Sequence, residues 1–119
     1  MSYLNKRKNA ILIALSGIFQ ALKTESHLKL HFIAAVFVIG FGFWFNVSKT
    51  DWVILLLSIT LVISSEMFNS ALEKLCDLIM PEKHPKIKYI KDVAAGAVLI
   101  SCIFALIAGF IVFVPYLNK

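Results

Sequence analysis

Three long apolar runs divide the chain, at residues 32–47, 52–64 and 93–116. The third run, of about 24 residues, is long enough to cross the ~30 Å hydrocarbon core of a bilayer by itself. The first two runs have about 16 and 13 residues and must continue into their polar flanks to cross it. The pattern therefore predicts an all-α membrane protein. Its three transmembrane helices should cover residues 29–47, 50–79 and 90–117, and the second should carry a cytoplasmic extension.

The N-terminal segment has a different pattern. Apolar residues recur there at steps of three and four, and polar residues occupy the other side: Ile11, Leu12, Leu15, Ile18, Phe19 and Leu22 against Lys8, Ser16, Gln20 and Lys23. A helix with two such faces lies in the membrane interface. A signal peptide is the alternative, but no small-residue cleavage site follows the apolar stretch. We predict an amphipathic surface helix over residues 1–28, within a single domain of residues 1–119.

The composition supports a membrane location. Hydrophobic residues make up 60% of the chain and charged residues only 16%, which is too apolar for an ordinary soluble domain. The net charge of +5 comes from basic residues at the flanks of the apolar runs. That placement favours a membrane surface as partner and argues against nucleic acid. Cys76 and Cys102 have no metal-ligand spacing and are interpreted as unpaired helix residues in a reducing compartment.

The distribution of basic residues predicts the orientation, because cytoplasmic loops are enriched in Lys and Arg. With the 46–51 loop and the C-terminus outside, the external side holds only Lys49 and Lys119. The cytoplasmic side then holds the other ten basic residues: Lys6, Arg7, Lys8, Lys23, Lys29, Lys74, Lys83, Lys86, Lys88 and Lys91. We therefore expect a cytoplasmic N-terminus and an external C-terminus.

A stripe of polar residues continues the second apolar run. Glu66, Asn69, Glu73 and Asp77 follow one another at steps of three and four, which places them within an arc of roughly 80° on one helical face. A Glu at the margin of an apolar run is costly unless it is paired or bound to something. A solvated helix end is the alternative for Glu73 and Asp77, but it does not account for Glu66.

Further acidic residues lie at the other two helix junctions. Glu25 precedes the first run, and Lys91-Asp92 precedes the third. If the junctions converge at one depth, the carboxylates repel one another unless a divalent cation binds them. Carboxylate oxygens without Cys or clustered His favour Mg²⁺, and Lys91 is suited to contact phosphate. His31 and His84 lack metal-ligand spacing, and no phosphate-binding glycine loop occurs in the chain.

Two motifs together resemble the prokaryotic diacylglycerol kinase/undecaprenol kinase family of small membrane lipid kinases. They are E-x-x-N-S-x-L-E-x-x-x-D, starting at Glu66, and I-K-D-V-A-A-G-A-V-L, starting at Ile90. The resemblance covers nearly the whole chain. It implies a homotrimeric helical bundle in the bacterial inner membrane, with active sites at subunit boundaries on the cytoplasmic face. It also implies Mg²⁺ with ATP as the phosphoryl donor and a membrane lipid alcohol as the acceptor.

Site roles follow from the same resemblance, position by position. Glu66 resembles the catalytic base, and Glu25 and Glu73 resemble the carboxylates that hold Mg²⁺. The residues that resemble ATP-binding positions are Glu25, Glu73, Asp77, His84, Lys91 and Asp92. Asn69 and Ser70 resemble polar supports beside the acceptor. These roles are consistent with phosphoryl transfer, which depends mainly on positioning, charge neutralisation and a base.

The acceptor lipid is less clearly indicated. The segment E-S-H-L-K-L-H, from Glu25 to His31, resembles the undecaprenol kinase branch more than the diacylglycerol branch, although that branch usually has Asn at the position of His27. Undecaprenol is therefore the favoured acceptor and diacylglycerol the alternative. A non-enzymatic scaffold or ion-conducting subunit is a more distant alternative. Pore-lining acids would be distributed through a span, whereas these gather at one side.

Overall fold

Four α-helices make up the computed structural model, which describes residues 2–118. They are α1 (Tyr3–Thr24), α2 (Ser26–Trp44), α3 (Lys49–Ile79) and α4 (Pro85–Leu117). Two residues lie outside the described range: Met1 and Lys119. The predicted external position of Lys119 therefore falls outside the described residues. The prediction of an all-α protein is confirmed.

Local side-chain chemistry explains where the helices begin and break. The Ser48 hydroxyl accepts a hydrogen bond from the Asp51 amide at 3.2 Å and caps α3. His84 Nδ1 accepts from the Lys86 amide at 3.1 Å, and Pro85 occupies the first turn of α4, where a missing N–H costs nothing. For this reason α4 begins five residues before position 90. Glu25 is extended, with φ −102° and ψ 110°, so the surface helix ends at Thr24 and residues 26–28 belong to α2.

Three helices are long and apolar enough to cross a membrane: α2, α3 and α4. At 1.5 Å per residue, α2 is about 28 Å long, close to the thickness of a bilayer core. The 31 residues of α3 and the 33 residues of α4 give about 46–50 Å. The ends of α3 and α4 beyond their apolar runs meet at the 80–84 connection. The protein is thus a multi-pass membrane protein whose last two helices extend past the apolar layer together.

The turn between α2 and α3 organises one end of the bundle, here called the turn end (residues 41–55 and 112–117). Val47, Leu55 and Val112 form a buried cluster there. Gly42 is needed because a Cβ at this position would lie 2.6 Å from Cη2 of Trp52. Asn46 takes the left-handed conformation, with φ 55°, that reverses the chain. The turn end therefore packs within one protomer.

Apolar side chains remain exposed over much of the protomer. On α1, every residue from position 3 to position 20 is exposed, including Ile11, Leu12, Leu15 and Phe19. The helix packs against α2, and the molecule as a whole is flat, with extents of 54 × 46 × 21 Å. An exposed apolar face of this kind is typical of a helix lying at a membrane surface.

Candidate active site

The centre of the charged region is Glu66, on the inner face of α3. The residue is only 6% exposed, and Val62, one turn earlier, is also buried. Its carboxylate Oε2 lies 3.8 Å from Nε2 of His31 on α2. Among residues 2–118, His31 is the one basic side chain with a nitrogen within 4 Å of this carboxylate. A carboxylate buried to this extent is stable only where neighbouring groups compensate its lost hydration.

The next turn of α3 adds amide and hydroxyl groups. Asn69 and Ser70 are both buried. Asn69 Nδ2 donates to Oε1 of Glu73 over 3.4 Å, a weak bond that aligns the two side chains on the predicted stripe. Asn69 Oδ1 is buried and accepts no hydrogen bond from the described residues. A buried carbonyl oxygen without a donor is uncommon in a native protein, so this oxygen lacks a partner that one chain does not supply.

Glu25 is held across the helix junction by a lysine. Its Oε1 lies 3.1 Å from Lys74 Nζ, which ties the α1–α2 break to α3. The lysine is largely exposed and Glu25 half-buried. Glu25 and Glu73, the two residues that resemble metal ligands, therefore have different partners within the protomer. In residues 2–118 of one chain, no three His, Cys, Asp or Glu side chains gather as a metal-binding group.

Two lysines of α4 pair with the remaining carboxylates. Lys91 Nζ donates to Asp77 Oδ1 at 2.6 Å, which joins α4 to the stripe on α3. Lys88 Nζ donates to Asp92 Oδ2 at 2.6 Å, one turn along the same helix. Lys91 and Asp92 thus lie where the polar extensions of α3 and α4 adjoin.

A cavity of about 540 Å³ lies beside these pairs. It is bounded by the connection between α3 and α4 and by the first turns of α4, at residues 80–85, Ile87, Lys88, Lys91 and Asp92. His84 lines this cavity and also caps α4. The cavity combines apolar wall area with three lysines, Lys83, Lys88 and Lys91, a mixture suited to a flat ring with phosphates attached.

A second cavity, of about 310 Å³, lies among the spanning helices. Its walls come from α2, α3 and α4 and are almost entirely apolar: Ala34, Ala35, Val38, Leu55, Ser58, Ile59, Val62, Ile63, Cys102, Ala105, Leu106, Gly109 and Phe113. Its remaining lining residue is His31, the partner of Glu66. We call this cavity the apolar groove. The groove is an environment suited to a hydrocarbon chain, and its lining residue His31 lies 3.8 Å from the buried carboxylate.

The sequence predicted no site role for His31, which lacks metal-ligand spacing and otherwise only ends the E-S-H-L-K-L-H segment. A comparison of the depths at which ionisable residues flank the apolar runs could have found it. His31 is the last ionisable residue before the first apolar run, and Glu66 is the first ionisable residue after the second. Because α2 and α3 run in opposite directions, these two positions lie at the same depth. A Glu at the margin of an apolar run needs a partner, and His31 is the one that α2 offers there.

Comparison with known proteins identifies the family. Residues 12–113 match the family described as prokaryotic diacylglycerol kinase. The chain belongs to this family. The matched range includes all nine candidate site residues, from Glu25 to Asp92. The resemblance inferred from the two motifs is therefore confirmed, and the protein is an enzyme of the ATP-dependent lipid kinase class.

Three curated relatives show how far the similarity extends. The undecaprenol kinase of Bacillus subtilis (strain 168) is 36% identical over 114 residues, which cover 96% of this chain and 93% of that protein. The diacylglycerol kinase of Helicobacter pylori (strain J99 / ATCC 700824) is 33% identical over 110 residues, covering 92% and 86%. The diacylglycerol kinase of Escherichia coli (strain K12) is 32% identical over 91 residues, covering 76% and 75%. The relatives thus include kinases of both lipids.

Proposed function

We propose that this lipid kinase transfers the γ-phosphate of ATP to the hydroxyl of undecaprenol, giving undecaprenyl phosphate. The observation that carries the proposal is the buried carboxylate of Glu66 beside the apolar groove. This arrangement suits an acceptor with one hydroxyl and a long hydrocarbon tail. The 36% identity to an undecaprenol kinase over nearly the full length of both chains favours this acceptor. Diacylglycerol is the second candidate, favoured by the relatives from H. pylori and E. coli.

Glu66 acts as the general base in this proposal. The lipid hydroxyl oxygen attacks the γ-phosphorus while its proton moves to the Glu66 carboxylate. The bond between the γ-phosphorus and the β–γ bridging oxygen breaks, and the electron pair leaves with ADP. Burial supports the assignment, because the surroundings of a buried carboxylate hold it in one orientation. Asn69 and Ser70 support the acceptor side of the site.

The nucleotide is assigned to the 540 Å³ cavity and its neighbours. Lys91 contacts the phosphates as a point charge, and His84 and Asp92 lie on the nucleotide side. Asp77 holds Lys91 in place through their 2.6 Å ion pair. Phosphoryl transfer requires this kind of positioning more than it requires covalent chemistry from the protein.

The oxygen-rich donor set fits Mg²⁺. Glu25 and Glu73 supply carboxylates, and the unpartnered Oδ1 of Asn69 is a hard oxygen at the same face. Mg²⁺ in nucleotide sites is commonly held by one or two carboxylates together with substrate phosphates, so a group of three protein ligands is not required. When bound, the ion neutralises the charge on the phosphates.

The assembly that suits this site is a homotrimer with active sites on the cytoplasmic face. The number three and the location at subunit boundaries come from the family resemblance. Two features of the protomer support association: the exposed apolar surface, and the separation of Glu25 from Glu73 into different pairs. Small residues at 94–97 allow close helix approach. The N-terminus is placed on the cytoplasmic side by the excess of basic residues.

The experiment is a direct comparison of acceptors. Purified protein in liposomes is given Mg-ATP with either undecaprenol or diacylglycerol, and lipid phosphate formation is measured as initial rates at several acceptor concentrations. We expect a higher kcat/KM for undecaprenol. A higher value for diacylglycerol would reassign the acceptor, and product from neither lipid would contradict the proposed lipid kinase activity.

A further inference from the structure

One contact in the site has no role in the reaction described above. It joins His31 and Glu66, whose Nε2 and Oε2 atoms are 3.8 Å apart. The side chain of His31 is less than one quarter exposed, and the side chain of Glu66 is 8% exposed. At 3.8 Å the two groups do not form a hydrogen bond. Both are nevertheless confined, because α2 and α3 are packed helices and the histidine also lines the apolar groove.

The position of His31 suits it to donate a hydrogen bond to the carboxylate of Glu66. One side of its ring faces the groove and its Nε2 faces the carboxylate. An acceptor hydroxyl that approaches Glu66 from the groove would pass close to His31, since His31 lines the groove and lies 3.8 Å from the carboxylate. Catalytic hydrogen bonds are often long in the free enzyme and shorten in the reactive complex. An imidazole N–H at this place can bind one carboxylate oxygen and leave the other to receive the proton.

We propose that His31 is a positioning residue for Glu66: its Nε2–H binds Oε2 and orients Oε1 toward the lipid hydroxyl at the mouth of the apolar groove. The inference rests on the role of Glu66 as base in the proposed function. It predicts that His31 acts on the chemical step and not on nucleotide binding. The ion pairs of Lys88 and Lys91 and the 540 Å³ cavity lie on the extensions of α3 and α4. His31 takes part in neither pair and does not line that cavity.

Substitution separates this role from a purely structural one. His31→Leu removes the N–H at similar volume, whereas His31→Gln keeps an N–H near the position of Nε2. His27→Leu is the control, since His27 is exposed on the same helix one turn earlier. We expect His31→Leu to lower kcat about 10- to 100-fold, because small errors in orientation are costly. The KM for ATP should stay within about twofold, and His31→Gln should recover most of kcat. Equal kcat values for His31→Leu and His27→Leu would overturn the proposal.

A double-mutant cycle with Glu66→Gln tests whether His31 acts through Glu66. If it does, His31→Leu should cost less than about twofold in the Glu66→Gln background, because the carboxylate that it orients is already gone. Effects that multiply would show an independent role and contradict the proposal. Rates are measured on protein of equal oligomeric size, with the acceptor that the wild type prefers.

A spectroscopic measurement covers the case in which His31→Leu does not fold. Nitrogen-15 NMR of histidine-labelled protein in micelles should show a change in the His31 imidazole signals in Glu66→Gln, with those of His27 unchanged. Unchanged His31 signals would overturn the proposal. The outcomes also separate this inference from the proposed function. Wild-type protein inactive on both lipids contradicts the function, whereas an active wild type with a fully active His31→Leu contradicts only the role of His31.

Discussion

At the turn end, the Tyr116 hydroxyl donates to Asp51 Oδ2 at 2.8 Å and accepts from the Ser48 amide at 3.2 Å. Beside it, Val47 packs in a buried cluster with Leu55 and Val112. The opposite end carries the candidate active site. There, Asn69 Oδ1 is buried without a donor among the described residues, and the partner of Glu66 lies 3.8 Å away. The same three helices, α2, α3 and α4, contribute to both ends.

The difference separates stability from function. At the turn end, the packing and the hydrogen bonds named above are made by residues of one chain. At the other end, buried polar groups stay incompletely satisfied, which costs free energy unless a ligand or a second protomer supplies the missing partners. Functional sites commonly retain such costs because the groups must be available to substrates. Substitutions at the two ends should therefore change different measured quantities.

The largest effect is expected for Glu66→Gln, which keeps the side-chain shape and removes the proton acceptor. Loss of a general base typically lowers the rate about 10²–10⁴-fold. Lipid kinase kcat should fall by this factor, with ATP affinity and oligomeric size unchanged. Ser65→Ala is the control, since the Ser65 hydroxyl bonds only within its own helix, to the carbonyl of Val62. A Glu66→Gln enzyme within a few-fold of wild type would mean that another residue is the base.

The next effect concerns the metal. Glu73→Ala should raise the Mg²⁺ concentration needed for half-maximal rate by about 10- to 100-fold, as losses around metal sites commonly do. Asp51→Asn, which removes a carboxylate at the turn end, should leave that concentration unchanged. Initial rates over a Mg²⁺ titration at fixed ATP measure both. The same Mg²⁺ requirement in both variants would show that Glu73 is not a ligand of the metal.

At the turn end, Gly42→Ala should lower the stability of the protein and leave its catalysis unchanged. The new Cβ would lie 2.6 Å from the Trp52 ring, and such overpacking typically costs about 1–3 kcal/mol. Gly40→Ala is the matched control, because a Cβ there meets nothing within 4 Å. Unfolding by SDS in detergent micelles should show the loss for Gly42→Ala only. The kcat of the folded fraction should not change, and a large fall in kcat would break the separation of the two ends.

The smallest effect is expected for Tyr116→Phe, which removes the hydroxyl between Asp51 and Ser48. A hydrogen bond of this type contributes about 1 kcal/mol, so the unfolding free energy should fall by roughly that amount. Tyr89→Phe on the exposed face of α4 should not change stability. If Tyr116→Phe lowered kcat without lowering stability, the turn end would have a catalytic role. That result would contradict the separation of the two ends.

Much of the architecture could be predicted from the sequence. Apolar runs determine which segments can cross a bilayer, because burying polar side chains in hydrocarbon is costly. The spacing of Glu66, Asn69 and Glu73 determines that they share a face of any helix that contains them. The boundaries were less predictable: α4 begins at Pro85 because His84 caps it, and the extended backbone at Glu25 ends α1 four residues before position 28.

The pairings inside the site depended on tertiary structure. No periodicity within α2 or α3 indicates that His31 approaches Glu66, that Lys74 holds Glu25, or that Lys91 binds Asp77 across 14 residues. These contacts depend on how far one helix slides along another and how each is rotated. Side-chain packing sets both quantities, as between Gly42 and Trp52. The sequence by itself determined which polar residues share a helical face and at which end of the spans they lie, whereas helix packing decided which of them meet.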